Sequence, residues 1–311
     1  MDVLNGMRYL VAAVERGSLS AAATHLAVSQ PAVSQVISGL EKHFGQTLIR
    51  RFSRGVGLTP AGEIVCRHGR AMLRGLESAQ AELDGLQNEL SGKIRITTVQ
   101  VLAQTHVGKA LLELQKLHPK LRAELISTDE VIDIDEQNID FAVRVGSPGH
   151  GGGVVKRIGE VQNVFVAAPS YLDEVGYPST PEELAQLNYV QYREDRKVGD
   201  ILCDGPDGEI VVHLEPGFLA QQPQLLAHAV EVGLGFAISP LFFIADQMAN
   251  GKLVEVLPGV RPRKVPLFLV ANQNMQNNPR GRAIEETLLE HLAEAPGITL
   301  NRNAEKRLEA V

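Results

Sequence analysis

Residues 18 to 51 constrain this chain more than any other stretch, because they encode two short helices joined by a tight turn. Alanines at 21, 22 and 23 allow the first helix to pack closely, and Leu26 and Val28 supply apolar contacts around the turn. Ser29 is placed to cap the second helix. Pro31 falls in its first turn, where a missing N–H costs little, so the Ser29 hydroxyl is expected to accept from the amide of Ala32. Val33, Ile37 and Leu40 recur at helical spacing and point inward. Gln30, Ser34, Gln35, Ser38 and Lys42 share the opposite, polar face. Gln and Ser hydrogen-bond base edges and phosphates in a major groove wide enough to admit a helix. From Leu48 to Thr59 two short β-prone runs flank a turn rich in Arg and Gly. That is the pattern of a wing lying along a phosphate backbone, with Arg50, Arg51 and Arg54 as its contacts. One of these arginines can instead serve a structural ion pair, and a plain helical hairpin with a solvated polar face is the bland alternative to the whole motif.

The chain has 311 residues, enough for two or three domains that each bury a core. Apolar residues make up 44% and charged residues 22%, as in soluble globular proteins. No apolar run approaches the length of a bilayer span, and the N-terminus lacks the charged and apolar regions of a signal peptide. Two cysteines, Cys66 and Cys203, exclude a disulfide scaffold, so a cytoplasmic location is expected. A net charge of −7 argues at first against a nucleic-acid partner. Its distribution reverses that. Residues 1–60 hold six Lys and Arg against three acids, a net +3, which leaves −10 to the remainder. A small basic head on an acidic body fits local contact with DNA.

Residues 59 to 90 read as one long helix, capped by Thr59 with Pro60 at its first position. Val65, Met72, Leu76, Ala79, Leu83, Leu86 and Leu90 follow steps of three and four, with Gly69 filling one seam position. This heptad seam suits pairing between two chains, and an intrachain helix packed on the body is the alternative. Ser91-Gly92 marks a domain boundary.

Beyond Lys93, strand-like and helix-like segments alternate. Ile94–Val99, Leu121–Ile126, Phe141–Val145, Phe236–Ile238 and Val265–Ala271 read as strands. Val107–Leu117, Leu225–Val232 and Ile284–Ala293 read as helices. The alternation predicts parallel sheets covered by helices, in two similar halves hinged about a cleft. The tail from Pro296 is polar and is expected to be mobile.

Taken together, these residues resemble the LysR-type transcriptional regulators over nearly the whole chain. The resemblance rests on Ser29-Gln30-Pro31-Ala32-Val33-Ser34, Leu40-Glu41, Arg54-Gly55-Val56 and Leu58-Thr59-Pro60-Ala61-Gly62 in the head. In the body it rests on Ile139–Gly146, Ala168–Leu172 and Gly233–Ala237. It implies an α/β protein in three parts. These are a winged helix-turn-helix head (1–60), a dimerising linker helix (61–90) and a two-lobed body of periplasmic-binding-protein type (91–311). Lobe 1 would take about 93–163 and 268–295, and lobe 2 about 164–267. The resemblance further implies a homodimer and from it a homotetramer, an interrupted palindrome in double-stranded DNA, a small-molecule effector in the cleft and recruitment of RNA polymerase. Ser29, Gln30, Pro31, Ser34 and Gln35 would then sit at the groove. Many members carry basic residues where this chain has Ala21 and Gln35, so more affinity must come from avidity or DNA shape.

Ligands of two-lobed bodies bind near strand ends and helix N-termini at the crossover. Thr98 and Gln100 follow the first strand, Thr128 follows its neighbour, Arg144 ends another, and Gln221 and Gln222 precede the second lobe's helix. Arg144 can equally be ion-paired. With Val99 and Val101 alongside, these residues predict a mixed pocket for a small neutral or weakly acidic metabolite. Enzyme chemistry finds little support. His150-Gly151-Gly152-Gly153 imitates an oxyanion loop, but no Gly-x-Ser-x-Gly elbow accompanies it. Gly233-x-Gly235 lacks the third glycine of a dinucleotide loop, and no histidine pair has metal-ligand spacing on one helix, so no cofactor or metal is expected. Cys66 and Cys203 lie too far apart in sequence to suggest a redox pair. The competing class is a small-molecule binding protein or enzyme whose N-terminal helices only mediate association.

Overall fold

The computed structural model describes the chain except residues 1, 53–54, 86–89, 131, 150–151, 193–198, 277 and 309–311, and except the side chains at 74, 77–78, 81–82 and 84–85. Arg54, Leu86 and the His150-Gly151 pair therefore lie outside the described residues.

The head is built from α1 (Val3–Glu15), α2 (Leu19–Leu26) and α3 (Gln30–Phe44), followed by an antiparallel hairpin of β1 (Ile49–Phe52) and β2 (Gly55–Leu58). Each helix starts on a side-chain cap. Asp2, Ser18 and Ser29 accept from the amide three residues on, and the Ser29–Ala32 bond, at 3.4 Å, is the one expected from the sequence. Ala27 closes the turn between α2 and α3 in the left-handed region, at φ 55°. Leu10, Ala22, Val33, Ile37, Leu40 and Leu48 meet in one fully buried core. The Glu41 carboxylate accepts from the Leu48 amide at 2.8 Å and so fastens α3 to the hairpin. Thr59 caps α4 (Pro60–Gly85) through the Gly62 amide at 3.0 Å. A Cβ at Gly62 would lie 1.9 Å from the Leu48 carbonyl oxygen, so only glycine lets α4 start against the hairpin.

The first lobe is a six-stranded sheet in the order β16-β6-β15-β5-β3-β4. Its strands are β3 (Gly92–Thr98), β4 (Leu121–Ser127), β5 (Phe141–Val145), β6 (Val154–Val161), β15 (Val265–Ala271) and β16 (Ile298–Leu300). Short α5 (Gln100–Gln104) and α6 (His106–Leu117) join β3 to β4. The second lobe is a five-stranded sheet in the order β11-β8-β12-β7-β13. It contains β7 (Asn163–Ala167), β8 (Tyr189–Tyr192), β11 (Pro216–Ala220), β12 (Phe236–Pro240) and β13 (Val254–Glu255), with α7 (Pro169–Val175), α8 (Pro181–Leu184), α9 (Pro223–Glu231) and α10 (Leu241–Ala249) around it. A small sheet of β9 (Gly199–Gly205), β10 (Gly208–Leu214) and β14 (Arg261–Pro262) lies beside it. The chain then returns through α11 (Gln273–Gln276) and α12 (Pro279–Ala293), and α13 (Arg302–Leu308) follows β16.

Three expectations change. The sheets are mixed, because β3 runs parallel to β4 and β5 whereas β15 is antiparallel to both β5 and β6. Strands that carry the chain between lobes enter the sheet from its other end, so β15 runs against its neighbours, whereas β3 and β4 are joined by a helical crossover that keeps them parallel. Lobe 1 resumes at Val265 rather than 268, since all of β15 belongs to its sheet. Residues 297–308, expected to be mobile, form β16 and α13. β16 pairs with β6, and α13 is anchored by buried Ala304 and by Arg307 bonding the buried Glu285 carboxylate at 2.5 Å.

Candidate nucleic-acid interface and effector cleft

The start of α3 projects into solvent, with Ser29, Gln30, Pro31 and Gln35 exposed and Ser34 half-buried beside them. Strand alternation puts Arg50 and Phe52 on one side of the wing and Arg51 on the other. Arg51 turns towards α3, where its Nη2 donates to Ser34 Oγ at 2.7 Å. Two side chains expected to meet DNA separately therefore hold each other. Pairing of Val56 N–H with the Gly17 carbonyl at 3.0 Å pins the wing to the α1–α2 turn as well.

The linker seam divides into three. Near its start, Val65 packs on the head core, and Gly69 faces Met7, whose Cβ lies 3.1 Å from where a Gly69 Cβ would be. At the far end Leu90 packs on the lobe 1 core. In between, Met72, Leu76 and Leu83 are 54%, 59% and 60% exposed, and Ala79 is exposed with them. The intrachain reading thus holds at both ends of the seam and fails in its middle.

Between the lobes lies a cavity of about 260 Å³. Val99, Val101, Val145, Leu226, Ile238 and Phe243 form apolar walls, and Asp129, Asn163, Tyr192 and Ser239 supply polar groups. The Tyr192 hydroxyl of lobe 2 donates to the Asp129 carboxylate of lobe 1, and Gln224 of α9 donates to Gln104 of α5. Gln162, at the crossover, donates from Nε2 to the carbonyls of Asn163 (2.8 Å) and Pro262 (3.0 Å), joining the two connecting strands. A larger cavity of about 690 Å³ separates the head from lobe 1. Cations in its walls are drawn to acids, Arg70 to Glu15 and both Lys93 and Arg95 to Glu124.

None of the six residues expected to bind an effector lines the inter-lobe cavity. Thr98 is fully buried and donates to the Val143 carbonyl at 2.9 Å. Arg144 is buried too, donating to the Thr128 carbonyl (2.8 Å) and Thr97 Oγ1 (3.1 Å). Burial pulls its pKa below the usual guanidinium value, opposed by the charge of Asp129. The Gln100 amide donates to Asp129 Oδ1 at 3.2 Å, and the Thr128 hydroxyl accepts from Glu130. Gln221 and Gln222 are exposed ahead of α9. These six stand around the cavity, while Val99 and Val101 are in it. The polar groups that do line it are Asp129, Asn163, Tyr192 and Ser239. Asn163 carried the one available signal, a polar residue opening the otherwise apolar β7.

Among the described residues no group of three or more His, Cys, Asp or Glu is placed to hold a metal, and no helix is long and apolar enough to cross a membrane. Cys66 and Cys203 are buried in separate cores, of the head and of lobe 2.

Residues 4–63 match the profile of the bacterial regulatory helix-turn-helix proteins of the lysR family, and residues 87–293 match the LysR substrate binding domain. The transcriptional regulator PtxR of Pseudomonas aeruginosa is 29% identical over 293 residues, covering 94% of each chain. YhjC of Escherichia coli K12 is 30% identical, covering 90% of this chain and 94% of its own. The transcriptional activator AaeR of the same organism is 26% identical, covering 94% and 95%. These relatives are regulators of transcription, not enzymes. ArgP from Mycobacterium tuberculosis shares the fold over 93% of this chain and 97% of its own, with a TM-score of 0.68 at 22% identity.

Proposed function

The chain belongs to the LysR family of transcriptional regulators, and we propose that α3 and the wing read one half of an interrupted palindromic operator while the inter-lobe cleft senses a small molecule. It is a DNA-binding regulator with an effector-binding body. The Arg51–Ser34 bond carries the proposed geometry. By tying wing to recognition helix it presents groove and backbone contacts as one rigid surface, so little freedom is lost on binding. Ser29, Gln30, Pro31, Ser34 and Gln35 face the groove, and Arg50, Arg51 and Arg54 face phosphates.

A half-site reader gains affinity from pairing. The exposed stretch of Met72, Leu76, Ala79 and Leu83 pairs two linkers into a homodimer, and two dimers form a tetramer that meets RNA polymerase at the promoter. In the cleft the effector lies on Val99 and Val101 and bonds to Asn163, Tyr192 or Ser239. Gln100 and Arg144 act from behind, holding Asp129 and Thr128 in place. Thr98 fastens β3 to β5, and Gln221 and Gln222 set the start of α9. A mobility-shift titration on the DNA flanking the protein's own gene tests this reading. Gln30→Ala should weaken cognate binding by about 1–3 kcal/mol. Equal binding by variant and wild type would remove Gln30 from the interface.

A further inference from the structure

The wing carries an aromatic ring that is mostly exposed among the described residues. Phe52 ends β1 with 62% of its surface exposed, more than either Phe44 or Tyr9 in the same head. Single exposed apolar residues are common, so exposure alone decides nothing. Three further observations bear on this one. Phe52 pairs with Gly55 at the last rung of the hairpin, beside its tip. Its ring lies over Gly57, where a Cβ would come within 2.9 Å of Cε2, so the glycine leaves room for the ring to lie against the wing. The wing also cannot swing to bury it. Arg51 is held by Ser34 on one side, and Val56 is held by the Gly17 carbonyl on the other. A Cβ at Gly55 would sit 2.5 Å from that same carbonyl, so the start of β2 is packed hard against the α1–α2 turn.

Arg50 stands two residues before Phe52 and leaves the same side of the strand. One side of the wing therefore presents a guanidinium and, nearer the tip, a flat apolar ring. Guanidinium groups bind phosphate without reading sequence. Apolar side chains at the minor groove lie against sugars or wedge between base steps, and so favour steps that open easily. We infer that Phe52 is a DNA-contacting residue of the wing, set against sugars and base edges of the minor groove beside the major-groove site of α3, where it adds sequence preference that the arginines cannot. This rests on the DNA-binding reading above.

The test uses the full chain and the duplex that the wild-type protein selects from a random-sequence pool. Phe52→Ala should bind that duplex about tenfold more weakly. The slope of log affinity against log salt should stay unchanged, because no phosphate contact is lost. Phe52→Leu should recover part of the loss, and the melting temperature of both variants should match wild type. Arg50→Gln is the contrast, since it should flatten the slope by about one unit. The contact is overturned if Phe52→Ala binds the selected duplex as wild type does, or if its loss comes with a flattened slope or a lowered melting temperature. A pool from which wild type enriches nothing would strike the DNA-binding reading itself and take this contact with it.

Discussion

At the scale of single residues, burial decides what the two thiols can do. Cys203 is fully buried in the second lobe, and burial together with the neighbouring Asp204 carboxylate pushes its pKa up to about 11. Burial also raises Cys66, against the pull of Arg70. A thiol that stays protonated and covered is a poor nucleophile. Neither should react with a disulfide reagent in the native protein at pH 8, and both should react once guanidinium unfolds it. A pH dependence follows for Cys203. In the unfolded chain the thiol ionises near its ordinary value of 9.0, below its folded pKa. The unfolded state therefore sheds the proton first, and the stability linked to this group is fully present below pH 9 and drains away as pH climbs towards 11. Thermal melts from pH 8 to 11 should fall more steeply for wild type than for Cys203→Ala. Parallel curves would mean that the thiol is not the group involved. The same scale marks where sequence reading stopped. Thr98 and Arg144 have the polarity of ligand contacts, but an inward-facing strand residue is bonded within the sheet as readily as it lines a cleft. Only the neighbouring strands distinguish the two, and Val143 and Thr97 took up those groups here.

At the scale of elements, local chemistry was legible and pairing was not. Caps and the Pro at the start of α3 are decided within a few residues, so the head could be read closely. The order of strands depends on where the chain crosses between lobes, which no local pattern encodes, and the antiparallel partners of β15 were missed for that reason. The linker lies between these cases. Its heptad period was plain, yet its two ends pack on its own chain and only the middle is left for a partner. About half of each of Met72, Leu76 and Leu83 faces water in the single chain, a stripe that pairing would cover. Leu83→Glu should split the dimer, since a carboxylate in the closed seam has no partner and resists burial. Light scattering should then report the mass of one chain where wild type reports at least two. An intact dimer in the variant would move the interface elsewhere.

At the scale of the molecule, the body's two lobe sheets are joined by segments that Gln162 binds together, with two polar bonds across the cleft. This division sets what an effector can change. Rigid lobes around a bonded crossover convert a small ligand into a change of lobe angle, whereas a loosely linked body would absorb it. Two bonds cross the cleft, Tyr192 to Asp129 and Gln224 to Gln104. A hydrogen bond to a carboxylate contributes about 1.5–3 kcal/mol net, which corresponds to about a tenfold change or more in an opening equilibrium. A ligand that takes over the Tyr192 hydroxyl need supply only that difference to reset the body. Tyr192→Phe keeps the ring and removes the hydroxyl. In that variant the distance between spin labels on Leu112→Cys of α6 in lobe 1 and Val175→Cys of α7 in lobe 2, both exposed positions, should shift towards a more opened separation, with the open population up by about tenfold or more. A label pair placed within one lobe should keep its distance. If the cross-lobe pair shows the wild-type distribution, the bond between Tyr192 and Asp129 does not hold the lobes, and the bond at Gln104 or packing across the cleft does.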